Sequence, residues 1–380
     1  MSSDMSEQQA RGAAVTCYGH SVPAFGEVFP KLFRLGLDLM SVEQVRQAVE
    51  TLPEAQRNAL GDFLGEDGIA RVSEGLDEAK RGVIISSYTK KDETSAADFV
   101  RAYPDIMVRL HNSLNPEQVK RFIEGLTSEE IASQSFFFGN EGRERVFTGL
   151  RDDAIRAVLD RTDDWVFLET GKRALAALPT YACTLIKQER VSRKLQKPET
   201  IELKYRESPK AIYMKWHAGP FKGRELVYNV ALLGRDKLRV REGGVLGIVP
   251  VTIALDAPVA RRGTNHLVSE VGFSHLLSLI EKDYVKAAPR GHIKRVNHGF
   301  ETLDGRKTYK VESILPRDEK LGYYCYRMTH WTDYLRGVEI KSEVFNFKDE
   351  LQEAYYYRDV NTNPGFTDAD FDPKNRAYHL

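Results

Sequence analysis

The spacing of the apolar residues changes once along this chain of 380 residues. Between about residues 25 and 161 they recur every three or four positions, as in Val42, Val45 and Val49, which is the spacing of one helix face. From about residue 180 they alternate with polar residues, which is the period of a half-buried strand. The sequence therefore predicts an α+β chain in which an all-helical domain precedes an antiparallel β domain.

The charged side chains divide at the same place. The 55 acidic and 55 basic residues cancel over the whole chain. Residues 1–165 hold 28 acids and 19 bases, a net charge of −9, whereas residues 166–380 hold 27 acids and 36 bases, a net charge of +9. This split supports two domains, which we place at residues 25–162 and 165–380 after a disordered N-terminus at residues 1–24.

Helix starts in the acidic domain are marked by capping residues. Ser41, Asn115 and Thr127 each precede acidic residues, which favours an N-cap followed by a negatively charged first turn. Glycines predict loops at residues 65–68 and 139–142. These signals indicate several helices joined by tight turns.

A 74-residue repeat runs through the acidic domain. Shifting the chain by this length aligns residues 41–76 with 115–150 without a gap. The matched positions include Phe25 with Phe99, Phe63 with Phe137, Gly65 with Gly139 and Gly68 with Gly142. We interpret residues 25–81 and 99–155 as two copies of one helical unit, joined by a polar stretch at residues 90–95; the alternative is a chance agreement between similar helical patterns. Tandem helical pairs often serve as interaction surfaces, so this domain is predicted to dock a protein partner.

The basic domain alternates over eleven segments. We predict strands at residues 181–190, 201–206, 211–217, 225–232, 237–241, 248–255, 292–302, 306–314, 322–332, 337–347 and 353–360. One helix at residues 269–286 interrupts them, with an apolar stripe that contains Val271, Leu276, Leu277 and Ile280. A helix inserted between strands must cover one face of the sheet or close the mouth of a barrel.

Five separated motifs of the basic domain carry a resemblance. They lie at residues 181–190, 204–216, 222–228, 268–273 and 363–373. In this order they resemble a bacterial domain-of-unknown-function family, number 1571, which is grouped with the LolA/LolB-like lipoprotein carriers. The resemblance covers about residues 165–380 and none of the acidic domain.

The resemblance implies a half-open antiparallel β-barrel with a helical lid, whose apolar concave face holds acyl chains in the carriers. It implies neither catalytic residues nor a cofactor, because the carriers are not enzymes. The predicted fold class is therefore α+β multidomain, with an N-terminal all-α tandem repeat followed by a half-open barrel of the LolA/LolB type.

An acyl-binding cavity needs bulky apolar and aromatic side chains without buried charge, and a mobile lid. The residues that we predict around it are Tyr213, Met214, Trp216, Tyr228, Val251, Ile253, Met328 and Trp331 on strands and Phe273, Leu276 and Ile280 on the helix. The alternative is that these side chains fill a packed core, because alternation identifies an apolar face but not whether it is filled.

Basic residues cluster in the same domain. Those that we place on the rim of the cavity are Lys204, Arg206, Arg224, Arg239 and Arg241. A cationic rim would attract phosphate or carboxylate head groups, and the alternative is an ordinary solvated strand face. Aromatic residues lie among the bases, but the sequence has no RNA-binding motif or helix-turn-helix, so nucleic acid is not a predicted partner.

Motifs for catalysis and metal binding are missing from the sequence. There is no G-x-S-x-G, P-loop or H-E-x-x-H motif. His292 and His298 would share one strand face, and we interpret them as ordinary strand histidines. The sequence thus predicts no catalytic residue, no metal ligand and no cofactor.

The cysteines and the N-terminus bear on the compartment. Cys17, Cys183 and Cys325 are too few and too scattered for a disulfide framework, which favours a reducing compartment. The sequence has no run of eighteen apolar residues and begins without a signal-peptide pattern. We expect a cytoplasmic protein without a transmembrane segment, or a periplasmic one if the start is mis-assigned.

Three hypotheses for function follow. The first is a non-enzymatic binding protein that holds a hydrophobic or lipidic ligand in the barrel and docks a partner through the helical repeats. The second is a structural or scaffolding protein with a packed barrel. The third is an envelope-related hydrolase, which has the least support because no nucleophile is found beside a base.

Overall fold

The computed structural model describes residues 14–87, 96–244, 247 and 249–380. The predicted linker at residues 90–95 and residues 1–13 of the predicted disordered N-terminus lie outside this range. The chain divides into two compact units. The helical unit contains the described residues up to Arg173 together with Tyr334–Gly337, and the sheet unit contains Ala174–Asp333 and Val338–Leu380. No helix among the described residues is long and apolar enough to cross a membrane.

The helical unit begins with a hairpin, where the sequence predicts disorder. Strands β1 (Val15–Cys17) and β2 (His20–Val22) are paired antiparallel, and at three residues each they are too short to show an alternation. The helices that follow in the described residues are α1 (Phe25–Leu39), α2 (Val42–Glu50), α3 (Glu54–Ser73), α4 (Glu78–Ser87), α5 (Ala96–Ser113), α6 (Pro116–Glu124), α7 (Ser128–Gly149), α8 (Asp152–Arg161) and α9 (Asp164–Ala176). The prediction of a helical N-terminal half is confirmed.

The loops predicted at residues 65–68 and 139–142 are wrong. Helices α3 and α7 run through these positions and are interrupted only at Gly65 and Gly139, each with φ of 62°. A single glycine can adopt this left-handed conformation at little steric cost. The helix therefore changes direction at this residue and continues directly after it. The glycine signal was real, but it marks a kink rather than a loop.

The two predicted repeats contact each other in the core of the helical unit. The ring of Phe25 stacks on that of Phe137 at 3.9 Å between centroids, and the ring of Phe63 stacks on that of Phe99 at the same distance. The amide nitrogen of the Gln44 side chain lies 3.1 Å from the amide oxygen of Gln118, and the converse pair of atoms lies 3.2 Å apart. Each contact therefore joins a residue of one predicted repeat to a residue of the other.

A buried histidine makes the helical unit sensitive to acid. His111 is 2% exposed, and its Nδ1 lies 3.1 Å from the carbonyl oxygen of Met107. Burial lowers the pKa of His111 from 6.5 to about 4. The unfolded chain therefore binds more protons between these two values, and stability is lost as the pH falls through this window.

We expect acidification from pH 6.5 to about 4 to reduce the free energy of unfolding of the helical unit by about 3 kcal/mol through His111 alone. Denaturant unfolding followed by helical circular dichroism measures this loss. His111→Leu, which has no ionisable group, should show a smaller loss over the same window. An equal loss in the variant would mean that other groups cause the acid sensitivity.

The sheet unit is built on one antiparallel sheet. Its strands are β3 (Thr180–Val191), β4 (Lys194–Leu195), β5 (Glu199–Arg206), β6 (Ala211–Ala218), β7 (Glu225–Asn229), β8 (Lys237–Arg241), β9 (Val251–Ala254), β10 (Lys294–Leu303), β11 (Arg306–Ile314), β12 (Arg327–Asp333), β13 (Val338–Phe345) and β14 (Leu351–Asn361). Two helices interrupt them, α10 (Val230–Leu233) and α11 (Phe273–Ala287). The strand predicted at residues 225–232 is too long, because the Asn229 side chain accepts hydrogen bonds from the amides of Ala231 and Leu232 and so begins α10.

The strand order places the first and last strands of the unit side by side. The order is β10-β11-β12-β13-β14-β3-β5-β6-β7-β8-β9, with β4 paired to β3. In the described residues the end strands β10 and β9 do not pair with each other, so the sheet is open rather than closed into a barrel. The antiparallel sheet is confirmed, and β14 and β3 meet at its centre.

The two faces of the sheet have different covers. On one side Phe273 of α11 packs on Tyr181 and Tyr357, with ring centroids at 4.7 and 4.3 Å. We call this side the covered face. On the other side, Tyr213 packs against the C-terminal segment that contains Phe371. The part of the sheet around β6 and β7 is therefore buried on both faces.

Candidate functional site

A cavity of about 60 Å³ lies on the covered face, under the segment that connects β9 to α11. We call this segment, residues 256–272, the strap. The cavity is lined by Leu185, Lys187, Glu189, Glu199, Met214, Trp216, Arg224, Leu226, Tyr355 and Tyr357 of the sheet, by Ala260, Arg262, Thr264, His266, Leu267, Val268, Glu270, Val271 and Gly272 of the strap, and by His275, Leu276 and Leu279 of α11. This volume is small for an acyl chain, so we expect binding to require movement of the strap.

Three of the eleven predicted cavity residues line this cavity. They are Met214 and Trp216 on β6 and Leu276 on α11. Tyr228 and Phe273 belong to the buried core that adjoins it, and Ile253 packs against the same core. These six side chains share the covered face, as the alternation predicts.

The other five lie elsewhere. Tyr213 points to the opposite face, because it neighbours Met214 on one strand and successive side chains alternate. Trp331 also lies on the opposite face, beneath the ammonium groups of Lys310 and Lys341 at 4.8 and 4.0 Å. The remaining three are Val251, which is 46% exposed, and Ile280 and Met328, which form a separate cluster.

Only one of the five predicted rim residues reaches the cavity. Arg224 lines it, is 4% exposed and pairs with Glu242 at 2.9 Å. Lys204 and Arg206 lie on the opposite face, where their charges sit over aromatic rings of the C-terminal segment. Arg239 and Arg241 also face away, because they alternate with buried Leu238 and Val240 of the core.

Buried charges form the part of the site that the sequence analysis missed. Lys187 and Glu189 on β3, Glu199 on β5 and Glu353 on β14 are each at most 8% exposed. In the sheet register Glu189 lies directly opposite Glu353, and Lys187 lies opposite Glu199. Like charges directly opposite each other destabilise a sheet, so the two facing carboxylates need hydrogen-bond donors or cations close by.

The strap supplies these donors. The backbone N–H of Asn265 donates to Glu189 at 2.6 Å, and its side-chain amide donates to Glu353 at 3.2 Å. His266 Nε2 lies 3.2 Å from Glu353 as well. The backbone–backbone hydrogen bonds described for the strap are local turns within it. Side-chain carboxylates, rather than a strand ladder, therefore make the polar contacts of the strap, and its apolar residues Leu267, Val268 and Val271 pack on the core of the sheet.

Donors from the sheet unit outside the strap extend the network. The Tyr324 hydroxyl donates to Glu353 at 2.6 Å and the Trp216 indole N–H donates to Glu199 at 2.5 Å. The Lys187 ammonium lies 3.5 Å from Glu189 and 3.8 Å from Glu199. One lysine is thus shared by two buried carboxylates.

The environment of each group shifts its pKa in a definite direction. Burial acts to raise the pKa of Glu353, but hydrogen bonds from His266, Tyr324 and Asn265 outweigh it and lower the pKa. Burial acts to lower the pKa of His266, but the bond to Glu353 outweighs it and raises the pKa. Burial raises the pKa of Glu199, against the opposing effects of Lys187 and Trp216. His266 and Glu353 therefore favour a charged pair, and Glu199 is the carboxylate most ready to take up a proton.

Three side chains beside this network have metal-ligand chemistry. One ligand atom from each of His266, Glu270 and His275 lies within 4.8 Å of the others. These three residues were not predicted as metal ligands, and the two histidines interpreted above as ordinary strand residues, His292 and His298, lie elsewhere. His292 precedes β10 and pairs with Tyr323, whereas His298 lies at a bulge of β10 near Glu312.

Comparison with known families identifies the sheet unit. The model of a family described as a protein of unknown function, DUF1571, matches residues 178–380, which is more than half of the chain. The chain belongs to the DUF1571 family. The match begins just before β3 and contains the whole site, so the resemblance drawn from the sequence motifs is confirmed. No curated protein matches the chain.

Solved structures similar to this DUF1571 member include proteins from three bacteria. Lipoprotein LppX of Mycobacterium tuberculosis is 15% identical over 52% of this chain and 97% of its own, with a TM-score of 0.33. A LolA superfamily protein of Nitrosomonas europaea is 10% identical over 53% and 97%, with a TM-score of 0.24. A chain of the Pseudomonas aeruginosa MucA/MucB complex is 18% identical over 53% and 60%, with a TM-score of 0.28. The chain covers 62% of the length of MucB.

Proposed function

We propose that the sheet unit is a non-enzymatic binding protein for an amphiphile, a ligand with an acyl or similar apolar body and an anionic head group. The observation that carries this proposal is the lining of the cavity under the strap. One part of the lining is apolar and the other part is charged, and both lie on the same face of the sheet.

The apolar part suits an acyl chain. Leu185, Met214 and Leu226 line the cavity from three strands, and Leu276 and Leu279 line it from α11. Burying an alkyl chain against such side chains is favourable by about 0.8 kcal/mol per methylene group. Burying ten methylene groups would therefore contribute about 8 kcal/mol towards displacing the strap.

The charged part suits the head group. Arg224 and Lys187 line the cavity from the sheet and are largely buried, and Arg262 lines it from the strap, where it is exposed. Arginine presents a planar fork of donors that fits a carboxylate or a phosphate. An anionic head group entering beside Arg262 could share these cations with Glu242 and Glu189, which hold two of them now.

Binding requires the strap to open, because the cavity of about 60 Å³ is far below the roughly 300–1,000 Å³ of ordinary ligand sites. The attachment of the strap suits such a movement. Hydrogen bonds to the carboxylates of Glu189 and Glu353 can be replaced by water as the strap lifts. A strand paired through its backbone would have to break a whole ladder.

Filling the cavity tests the proposal. We expect the purified, delipidated chain to bind a fluorescent fatty-acid probe, and Leu279→Trp to weaken that binding at least about tenfold, because the larger side chain occupies the cavity. Leu277→Trp is the matched control, since Leu277 lies on the same helix and is not part of the lining. Titration of probe fluorescence measures both, with native mass spectrometry to detect any ligand retained from expression.

Absence of both probe binding and retained ligand would contradict the proposal, as would an equal loss in the two variants. Either result would favour the second hypothesis, a scaffolding protein whose sheet unit is fully packed. The small volume of the closed cavity is the observation that favours this alternative.

We propose that the helical unit consists of two copies of one repeat, which pack face to face. We also propose that this unit docks a protein partner. The reciprocal contacts of Phe25 with Phe137 and of Phe63 with Phe99 support the duplication, because exchanging the copies exchanges the two contacts. The partner role rests on the general use of tandem helical pairs as interaction surfaces. Cross-linking in native cells tests it, and cross-links confined to the sheet unit would count against it.

The compartment stays a prediction, either cytoplasmic or periplasmic. The three cysteines are buried free thiols in the structure. Fractionation of the native cells decides between an envelope role and an intracellular role for the binding of an amphiphile.

A further inference from the structure

Two histidines and a glutamate converge where the strap meets α11. His266 lies in the strap, Glu270 follows it at the end of a short 3-10 turn, and His275 lies in the first turn of α11. The Nε2 atom of His275 is 3.3 Å from Nδ1 of His266, and the Oε2 atom of Glu270 is 3.7 Å from the same Nδ1. Gly272, with φ of 117°, allows the sharp change of direction that brings the turn and the helix together.

The separation of the two histidine nitrogens matches an edge of a tetrahedral site, and all three ligand atoms lie within 4.8 Å of one another. Two nitrogen ligands at about 2.0–2.1 Å from a tetrahedral zinc ion lie about 3.3–3.4 Å from each other. The distance between the two histidine nitrogens falls in this range. The carboxylate oxygen of Glu270 is within about half an ångström of it, which a rotation of its side chain can close.

The second ring nitrogen of His266, Nε2, has hydrogen-bond partners of the kind found at many metal sites. Its Nε2 lies 3.2 Å from Glu353 and 3.1 Å from the Tyr324 hydroxyl, which itself donates to Glu353. A carboxylate only accepts hydrogen bonds, so Nε2 carries the proton in this pair. A metal-binding histidine typically donates its other N–H to a carboxylate in this way, which orients the ring and makes the free nitrogen more basic.

The surroundings also allow an ion to enter. The side chain of Glu270 is 39% exposed, whereas those of His266 and Glu353 are 16% and 3% exposed. The site is therefore open on the glutamate side and enclosed on the side of the supporting carboxylate. Water can occupy a fourth position on the open side.

We propose that His266, Glu270 and His275 bind a divalent transition-metal ion, for which two imidazoles and one carboxylate make zinc the best match. The ion would tie the strap, through His266 and Glu270, to α11, through His275. It would thus hold the cavity closed, and its removal would release the strap. The three ligand residues also line the cavity, so the effect of the ion on the strap rests on the proposed function, whereas zinc binding itself does not.

Zinc binding to the full chain tests the proposal. We expect the protein, stripped with a chelator, to bind one zinc ion in calorimetric titration, and His275→Ala to weaken this binding at least about 100-fold. Glu353→Gln removes the carboxylate that supports His266 and changes no metal ligand, so it should weaken zinc binding by about 10–100-fold. His217→Ala is the control, since His217 also lies 3.3 Å from a carboxylate, that of Glu202, and is 52% exposed. It should leave zinc affinity unchanged.

X-ray absorption of the zinc-loaded natural sequence provides a readout that does not depend on the folding of a variant. We expect two imidazole nitrogens among about four N or O ligands. Absence of stoichiometric zinc binding would overturn the proposal, and so would sulfur ligation or equal effects of His275→Ala and His217→Ala. Because zinc is measured without any acyl probe, failure here leaves the ligand proposal untouched, and failure of probe binding leaves the zinc site untouched.

Discussion

Replacing Lys187 with methionine is expected to destabilise the sheet unit by about 3–5 kcal/mol, because it leaves buried carboxylates without their shared cation. Glu189 and Glu199 are each 2% exposed, so water cannot readily take the place of the ammonium group. Methionine fills a similar volume, which limits any contribution from a cavity. Denaturant unfolding followed by tryptophan fluorescence measures the loss.

A second substitution separates charge from packing. Lys187→Met combined with Glu199→Gln should recover part of the loss, because the amide no longer needs a cation while its oxygen can still accept from Trp216. Lys222→Met, at an exposed lysine of the same unit, should change stability by less than about 0.5 kcal/mol. A Lys187→Met variant as stable as the natural sequence would show that the buried network does not hold this face together.

Truncating either of two equivalent phenylalanines should destabilise the helical unit by about 3–5 kcal/mol. Phe25 and Phe99 are at most 1% exposed, and each stacks at 3.9 Å on a ring of the other predicted copy. If the copies are equivalent, Phe25→Ala and Phe99→Ala have losses within about 1 kcal/mol of each other, since each opens the same kind of cavity. Thermal or denaturant unfolding followed by helical circular dichroism provides the comparison.

The control for the aromatic core is Phe136→Ala. Phe136 is half-buried beneath the guanidinium of Arg173, outside the four stacked rings, so its loss should be less than half as large. A large effect at Phe25 with little at Phe99 would contradict the packing of two equivalent copies. Equal small effects would contradict the central role of the rings.

Strand positions were predictable where alternation is bounded by turns. The observed bounds of β8 (Lys237–Arg241) and β11 (Arg306–Ile314) agree with the predicted bounds, because Gly and Asp residues lie beside both segments.

The face of the sheet to which each side chain points was harder to predict. Tyr213 looked like a cavity residue because it is large and aromatic, and nothing in the local pattern shows that the C-terminal segment covers the opposite face. Which distant segment packs on a given face of the sheet depends on the tertiary fold.

The buried charges could have been found from the sequence. Lys187 and Glu189 continue the same alternation as Tyr181, Cys183 and Leu185, so all five side chains point to one face of β3. Lys187 and Glu189 were not predicted to line the cavity, because the cavity was expected to lack charged side chains. The convergence of His266, Glu270 and His275 had no comparable signal, because these residues span a 3-10 turn, a glycine and a helix start.

Contact quenching of tryptophan fluorescence by a brominated fatty acid tests the placement of the ligand most directly. Trp216 lines the cavity, whereas Trp331 lies on the opposite face of the sheet and Trp165 belongs to the helical unit. We predict that the brominated acyl chain quenches the natural sequence and Trp331→Phe alike and does not quench Trp216→Phe, with native mass spectrometry confirming that each variant still binds the chain. Quenching that persists in Trp216→Phe, or that disappears in Trp331→Phe, would contradict an amphiphile bound beneath the strap.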